Sequence, residues 1–92
     1  MKRSDDRTED QRRTHTVLIV GTDSFLSGWG EARNGVSYAA WACQPKDADR
    51  VERWVRSRSD MKRVRVTGDP YYPKGTGHLQ IYVVDEKHNS LA

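Results

Sequence analysis

Apolar and polar positions alternate along this chain in a few short patterned runs. Val17, Leu18, Ile19 and Val20 form a continuous aliphatic run, the pattern of a strand buried on both faces. Gly21 is expected to end it. In 36–43, Val36, Tyr38, Ala40 and Ala42 share one face and Ser37, Ala39, Trp41 and Cys43 the other. Neither face is strongly polar, so this strand is expected inside a sheet. Val64 and Val66 alternate with Arg63, Arg65 and Thr67, the valines pointing in and the arginines out. Leu79, Ile81 and Val83 alternate with Gln80 and Tyr82 in a last strand.

Between the second and third runs the period changes. Ala48, Val51, Trp54 and Val55 recur at spacings of three and four, one side of a helix. Gln44-Pro45-Lys46-Asp47 starts it, because proline is preset for a first helical turn and Asp47 and Asp49 suit the positive end of the helix dipole. The helix is expected from Pro45 to about Ser59, with Met61 folding back on the core. Glu52 and Arg56 stand one turn apart, a pair contributing about 0.2–0.5 kcal/mol. So short a helix needs a sheet to pack on.

The order β-β-α-β-β predicts an α+β fold: a two-layer sandwich with a four-stranded, mostly antiparallel sheet and one helix. A crossover helix makes the second and third strands parallel, and the outer connections read as antiparallel hairpins. The far face of the sheet is expected to be open or used in dimerisation. Residues 1–15 hold almost no aliphatic side chain and are expected to be a disordered charged tail; 16–84 form the domain, and 85–92 a polar tail.

Two connections stand out. Residues 22–34 carry Phe25, Leu26 and Trp29, the last between Gly28 and Gly30. A loop with three large apolar residues either caps the open end of the core, the commoner arrangement, or holds a partner. Asn34-Gly35 signals a turn into the second strand. Residues 68–77 contain two prolines, and Tyr71 and Tyr72 at their middle. Adjacent residues of an extended segment point opposite ways, so at least one tyrosine faces solvent or a partner.

Composition narrows the function classes. Of 92 residues, 35% are hydrophobic and 32% charged, which implies one domain with a small core. No apolar run approaches a membrane span, and no signal-peptide core follows Met1-Lys2-Arg3, so a cytoplasmic location is expected. The single Cys43 excludes an intrachain disulfide and fits a reducing compartment. The net charge of +3 favours nucleic acid or an acidic protein surface as partner.

Catalytic and metal chemistry find little support. His15, His78 and His88 are scattered, with no ligand spacing, so no metal is expected. Ser24, Ser27 and Cys43 stand in no nucleophile motif, and Cys43 reads as a small buried hydrophobe. Gly75-Thr76-Gly77 lacks the spacing of a phosphate loop. The chain is expected to be neither an enzyme nor a cofactor carrier.

Binding is better supported. Arg50, Arg53 and Arg56 share a helix face, and Arg63 and Arg65 follow beyond Arg58 and Lys62. Arginine bonds phosphate and carboxylate alike in a planar fork. Tyr71, Tyr72 and Lys74 in one loop, with Trp29 in the other, add stacking surface. Against this, Asp47, Asp49, Glu52 and Asp60 interleave with the arginines, as on a solvated, salt-bridged face. Two functions follow: docking on a protein or nucleoprotein complex, or direct nucleic-acid binding through phosphate contacts from the arginine row.

In its compact layout around Thr22-Asp23-Ser24-Phe25-Leu26-Ser27-Gly28-Trp29-Gly30 and Asp47-Ala48-Asp49-Arg50-Val51-Glu52-Arg53-Trp54, the chain resembles short reading frames of phages and mobile elements. Among these are the anti-CRISPR inhibitors. That resemblance covers about residues 16–84 and lies in size and loop composition. It implies a single domain that blocks a host defence complex by binding, and it assigns no site residues.

Overall fold

In the computed structural model, described over residues 2–23, 31–32, 35–68 and 76–84, the chain forms a mixed sheet with two helices. The strands are β1 (Lys2–Asp5), β2 (Val17–Asp23), β3 (Glu31–Ala32), β4 (Gly35–Cys43), β5 (Met61–Gly68) and β6 (Thr76–Val83). The helices are α1 (Glu9–Thr14) and α2 (Ala48–Ser57), the second entered through a 3-10 turn over Pro45–Asp47. The strand order is β1-β6-β4-β2-β5, with the short β3 paired to β4 off that path.

The fold class is α+β, as the patterning predicts, but the sheet is not the four-stranded, mostly antiparallel one expected. β2 is antiparallel to β4 and to β5, whereas β6 is parallel to both β4 and β1. β4 and β5 do run the same way, with β2 between them. The expected β5–β6 hairpin does not form. β6 instead lies on the far side of β4, where Tyr38 and Ala40 stand in register with Leu79 and Ile81. There Leu79 and Ile81 are fully buried, which the exposed flank of β5 would not provide.

The two faces of the sheet carry separate clusters. Facing α2 are Ile19, Ala39, Trp41, Cys43, Met61 and Val84 with Val51 and Val55 of the helix, and Ala48 and Trp54 pack against them. On the opposite face Leu18, Val20, Ala40, Ala42, Leu79 and Ile81 form a second cluster joined by Tyr38. Leu18, Ala40, Ala42, Leu79 and Ile81 are fully buried, so of the two expectations for that face, open or used in dimerisation, the open one does not hold. β4 is interior, its small residues serving both clusters.

Residues 1–15 are also corrected. Their described part is no disordered tail: β1 pairs with β6 at one edge, and α1 leads the chain back to β2. What orders it is polar. Thr8 and Gln11 form a capping box, Thr8 Oγ1 accepting from Gln11 N at 3.2 Å and Gln11 Oε1 from Thr8 N at 2.9 Å. Arg7, its side chain 0% exposed, donates from Nε and Nη2 to the Asp5 carboxylate at 3.0 and 2.8 Å, and from Nη1 to the His15 carbonyl at 3.0 Å. α1 itself buries no residue, so this clamp and the β1 ladder take the place of an apolar stripe.

Gly21 does not end β2. The strand runs on to Asp23 past a bulge, where the register slips between Val20–Arg65 and Thr22–Lys62. A Cβ at Gly21 would sit 3.1 Å from Met61 Sδ and 3.4 Å from Val64 Cγ2, so glycine permits the close approach of β5. Within the expected long loop, β3 pairs Glu31 with Val36 and Ala32 with Gly35.

Candidate functional site

α2 is the element the site is built on. Its sheet-facing stripe is Val51 and Val55, both fully buried, flanked by Ala48 and Trp54. At 3.6 residues per turn this fixes where each arginine goes. Trp54 reaches the Trp41 ring edge-on at 5.4 Å, so that flank of the helix lies toward β4 and β6. Arg50, one turn earlier, shares it. Glu52 and Arg56 occupy the other flank, toward β5. Arg53 stands on the outward surface. The three helix arginines thus fan around α2 instead of forming one face.

Most of these charges are paired. Arg56 Nε donates to Glu52 Oε2 at 2.7 Å, the contact expected from their spacing. Arg50 lies 3.6 Å from the Asp47 carboxylate. Arg58, which follows the helix, forks onto Asp60 at 2.8 and 2.6 Å. Those hydrogen bonds hold the Asp60 carboxyl below its ordinary value, against the opposing effect of partial burial. Among the described residues, Arg53, Lys62 and Arg63 make no ion pair with a described acid.

β5 distributes its cations differently from the sequence reading. Lys62 and Arg65 are in register with Thr22 and Val20, and so lie on the face away from α2. Arg63 sits in the bulge with φ of 52°, in the left-handed region. Val64 packs on the core as expected, but Val66 is 46% exposed. The expected continuous row from Arg50 to Arg65 is therefore a collar, passing from the outer surface of α2 around the β5 edge to the opposite face. Trp29, Tyr71, Tyr72 and Lys74, the other expected partner-binding residues, lie outside the described residues.

An aromatic cluster went unread in the sequence. Trp41 and Tyr82, in register on β4 and β6, stack at 5.4 Å with rings 28° apart. Arg58 lies 5.1 Å from the Trp41 ring centroid and 5.0 Å from that of Trp54. α2 leaves this side of β6 uncovered, and Tyr82 remains 38% exposed. The signal available was Arg58 one turn beyond Trp54, together with Tyr82 on the polar side of its strand.

A second polar cluster lies at the N-terminal segment. Arg3, Arg7 and Arg12 approach the same Asp5 oxygen at 3.5, 2.8 and 3.7 Å. Burial pushes the Asp5 carboxyl up, but hydrogen bonds from Arg7 and the charges of Arg7 and Arg12 outweigh it and hold the group below its usual value. Beside it a groove of about 400 Å³ is lined by Arg7, Glu9 and Arg12. His15 is buried, its Nδ1 2.8 Å from Thr14 Oγ1. Cys43 is fully buried, and burial pushes its thiol up to about 11. Among the described residues no three His, Cys, Asp or Glu side chains are placed to hold a metal ion, and no helix is long and apolar enough to cross a membrane.

No family model, no curated protein and no solved structure matches this chain.

Proposed function

We propose that the chain is a non-catalytic binding protein that docks on a protein or nucleoprotein complex through the surface around α2 and β5. The observation that carries this reading is the pairing of Arg50, Arg56 and Arg58 with Asp47, Glu52 and Asp60. A surface built to grip phosphates keeps its guanidinium groups free of carboxylates, because each internal pair both occupies a fork and adds a repelling charge. A mixed-sign surface beside partly exposed aromatics fits recognition of another protein, where arginine and aromatic side chains dominate the binding energy. In line with the resemblance to small phage proteins of the anti-CRISPR type, a host defence complex in the cytoplasm is the target class this reading favours.

Direct nucleic-acid binding is the second reading. It rests on Arg53, Lys62 and Arg63, which have no acidic partner among the described residues. A pull-down from bacterial lysate, with and without nuclease and at low and high salt, separates the two. Docking requires a discrete protein that survives nuclease and salt and is released by Arg53→Glu. Retention of nucleic acid alone, lost as salt rises, would establish the second reading in its place.

A further inference from the structure

The edge of β5 is the largest unused feature of the sheet. β5 pairs with β2 along its whole inner side, and among the described residues no strand pairs with its outer side. It is eight residues long, against four for β1 at the opposite edge. Lys62, Arg63, Arg65, Val66 and Gly68 are all exposed along it. Long open edges are normally shortened, covered or charged.

The charge here has one sign. The sequence of β5 contains no acidic residue. The bulge absorbs one position, so Lys62 and Arg65 fall on the same side of the edge although three residues apart. On α2, Arg56 stands on the flank toward β5, paired with Glu52, and Arg53 on the outward surface. A chain approaching the edge meets Lys62 and Arg65 on the face away from α2, with Val66 as an apolar contact on the other.

We propose that the β5 edge binds an acidic extended segment of a partner protein, which adds to the sheet as a further strand. The proposal rests on the docking reading above and names the partner's chemistry at that site. Three arguments select this occupant. An open edge presents N–H and C=O groups in alternation; a polypeptide strand satisfies both, whereas a phosphate backbone has nothing to offer the carbonyls. A second copy paired through β5 would set Lys62, Arg63 and Arg65 against like charges. Carboxylates at alternate positions of an incoming strand would meet Lys62 and Arg65 on one side, while apolar residues between them would meet Val66 on the other.

The test is a titration of the isotope-labelled chain, followed by amide shifts and hydrogen exchange. The probes are an eight-residue alternating Glu-Val peptide, its Lys-Val counterpart and an octathymidylate. The Glu-Val peptide is expected to shift and protect β5 amides, and the Lys-Val peptide is not. Lys62→Glu with Arg65→Glu should weaken the Glu-Val peptide about tenfold and invert the preference between the two peptides. Arg63→Gly, which suits the positive φ, gives a second variant that removes charge without loss of fold. The proposal is overturned if the Glu-Val peptide leaves β5 amides unchanged or affects only α2. It is overturned equally if the oligonucleotide protects β5 more strongly, or if the chain alone is a dimer with β5 already protected. A lysate partner that survives nuclease, combined with an unresponsive β5, would sustain the docking reading and remove only the edge proposal.

Discussion

The guanidinium of Arg58 lies against Trp54, one turn back on the chain, 5.0 Å from its ring centroid, while its fork holds Asp60 at 2.8 and 2.6 Å. With the Trp41 ring also 5.1 Å away, beside Trp54, Arg58 ties the end of α2 to the sheet and to the turn into β5. Arg58→Ala should cost about 1–2 kcal/mol in denaturant unfolding, from lost cation–π contact and charge-assisted hydrogen bonds. Arg58→Lys keeps the charge but not the planar fork, and should recover only part of this. The Asp60 carboxyl should titrate higher in either variant, because the hydrogen bonds that hold it low are removed or weakened. A carboxyl titration by NMR reads that shift; an unmoved Asp60 would contradict the assignment.

The Asp5–Arg7 pair is expected to behave as a buried one. Asp5→Asn removes the carboxylate that the Arg7 side chain, 0% exposed, holds with two donors, and should destabilise by about 3 kcal/mol. Asp5→Leu combined with Arg7→Met should cost less than the sum of the single changes, measured as a double-mutant cycle. The pH dependence follows from the sign of the shift. Asp5 is held below its ordinary value in the folded chain, so its contribution is complete above a pH of about 4 and is lost as pH falls through the lower folded value. Asp60 contributes with the same sign. Acid unfolding of Asp5→Asn should therefore show a shallower limb than that of the parent chain.

The contrast between α2 and the N-terminal segment explains how much of the fold the sequence reveals. α2 is legible because its burial is periodic: Val51, Val55, Ala48 and Trp54 recur at helical spacing, and Glu52–Arg56 follows from the same geometry. β2 and β4 are legible for the same reason, as apolar runs with both faces occupied. β1 and α1 carry no such pattern, since a ladder to β6 and the Arg7 clamp order them instead of apolar area. A capping box was nonetheless written in Thr8-Glu9-Asp10-Gln11. Strand pairing is less legible still. The alternation of Leu79 and Ile81 shows that β6 has an apolar face, but it does not say that the face belongs beside Ala40 instead of Val66. For the candidate site, the sequence shows the spacing of the arginines along α2 but not how they part around it, because the bulge at Arg63 and the flanks of α2 decide which way each one points.

The bulge makes a prediction in which three substitutions move differently. Arg63→Gly removes the strain of a left-handed residue, about 1–2 kcal/mol, against an entropy cost of about 0.5–1 kcal/mol for glycine. It should therefore leave the chain as stable as the parent or slightly more so. Arg63→Val places a β-branched side chain at the same φ of 52° and should be clearly destabilising. Gly21→Ala brings a methyl to 3.1 Å from Met61 Sδ, which the flexible thioether can yield to, so a loss of about 1 kcal/mol is expected. Thermal or urea unfolding orders the three. A stable Arg63→Val would show that the residue does not keep its positive φ.

Cys43 provides a probe of the centre of the sheet. It lies on β4 in register with Val17 of β2 and is fully buried in the cluster facing α2. Burial chiefly, with the Asp47 charge added and Arg50 opposing, raises its thiol to about 11. A raised thiol stabilises the folded chain only while the unfolded thiol is also protonated. Its contribution is complete below a pH of about 8.5 and is lost as pH rises from there toward the folded value. Alkaline destabilisation should accordingly be smaller in Cys43→Ala than in the parent chain. Cys43→Ser should instead cost about 1–3 kcal/mol at every pH, because a buried hydroxyl needs a partner that the apolar cluster does not supply. At neutral pH a thiol reagent should modify Cys43 at a rate that tracks the unfolded population, rising with urea in step with the unfolding curve. Rapid modification in the absence of denaturant would mean that β4 opens locally, and that the two clusters it joins are not one cooperative unit.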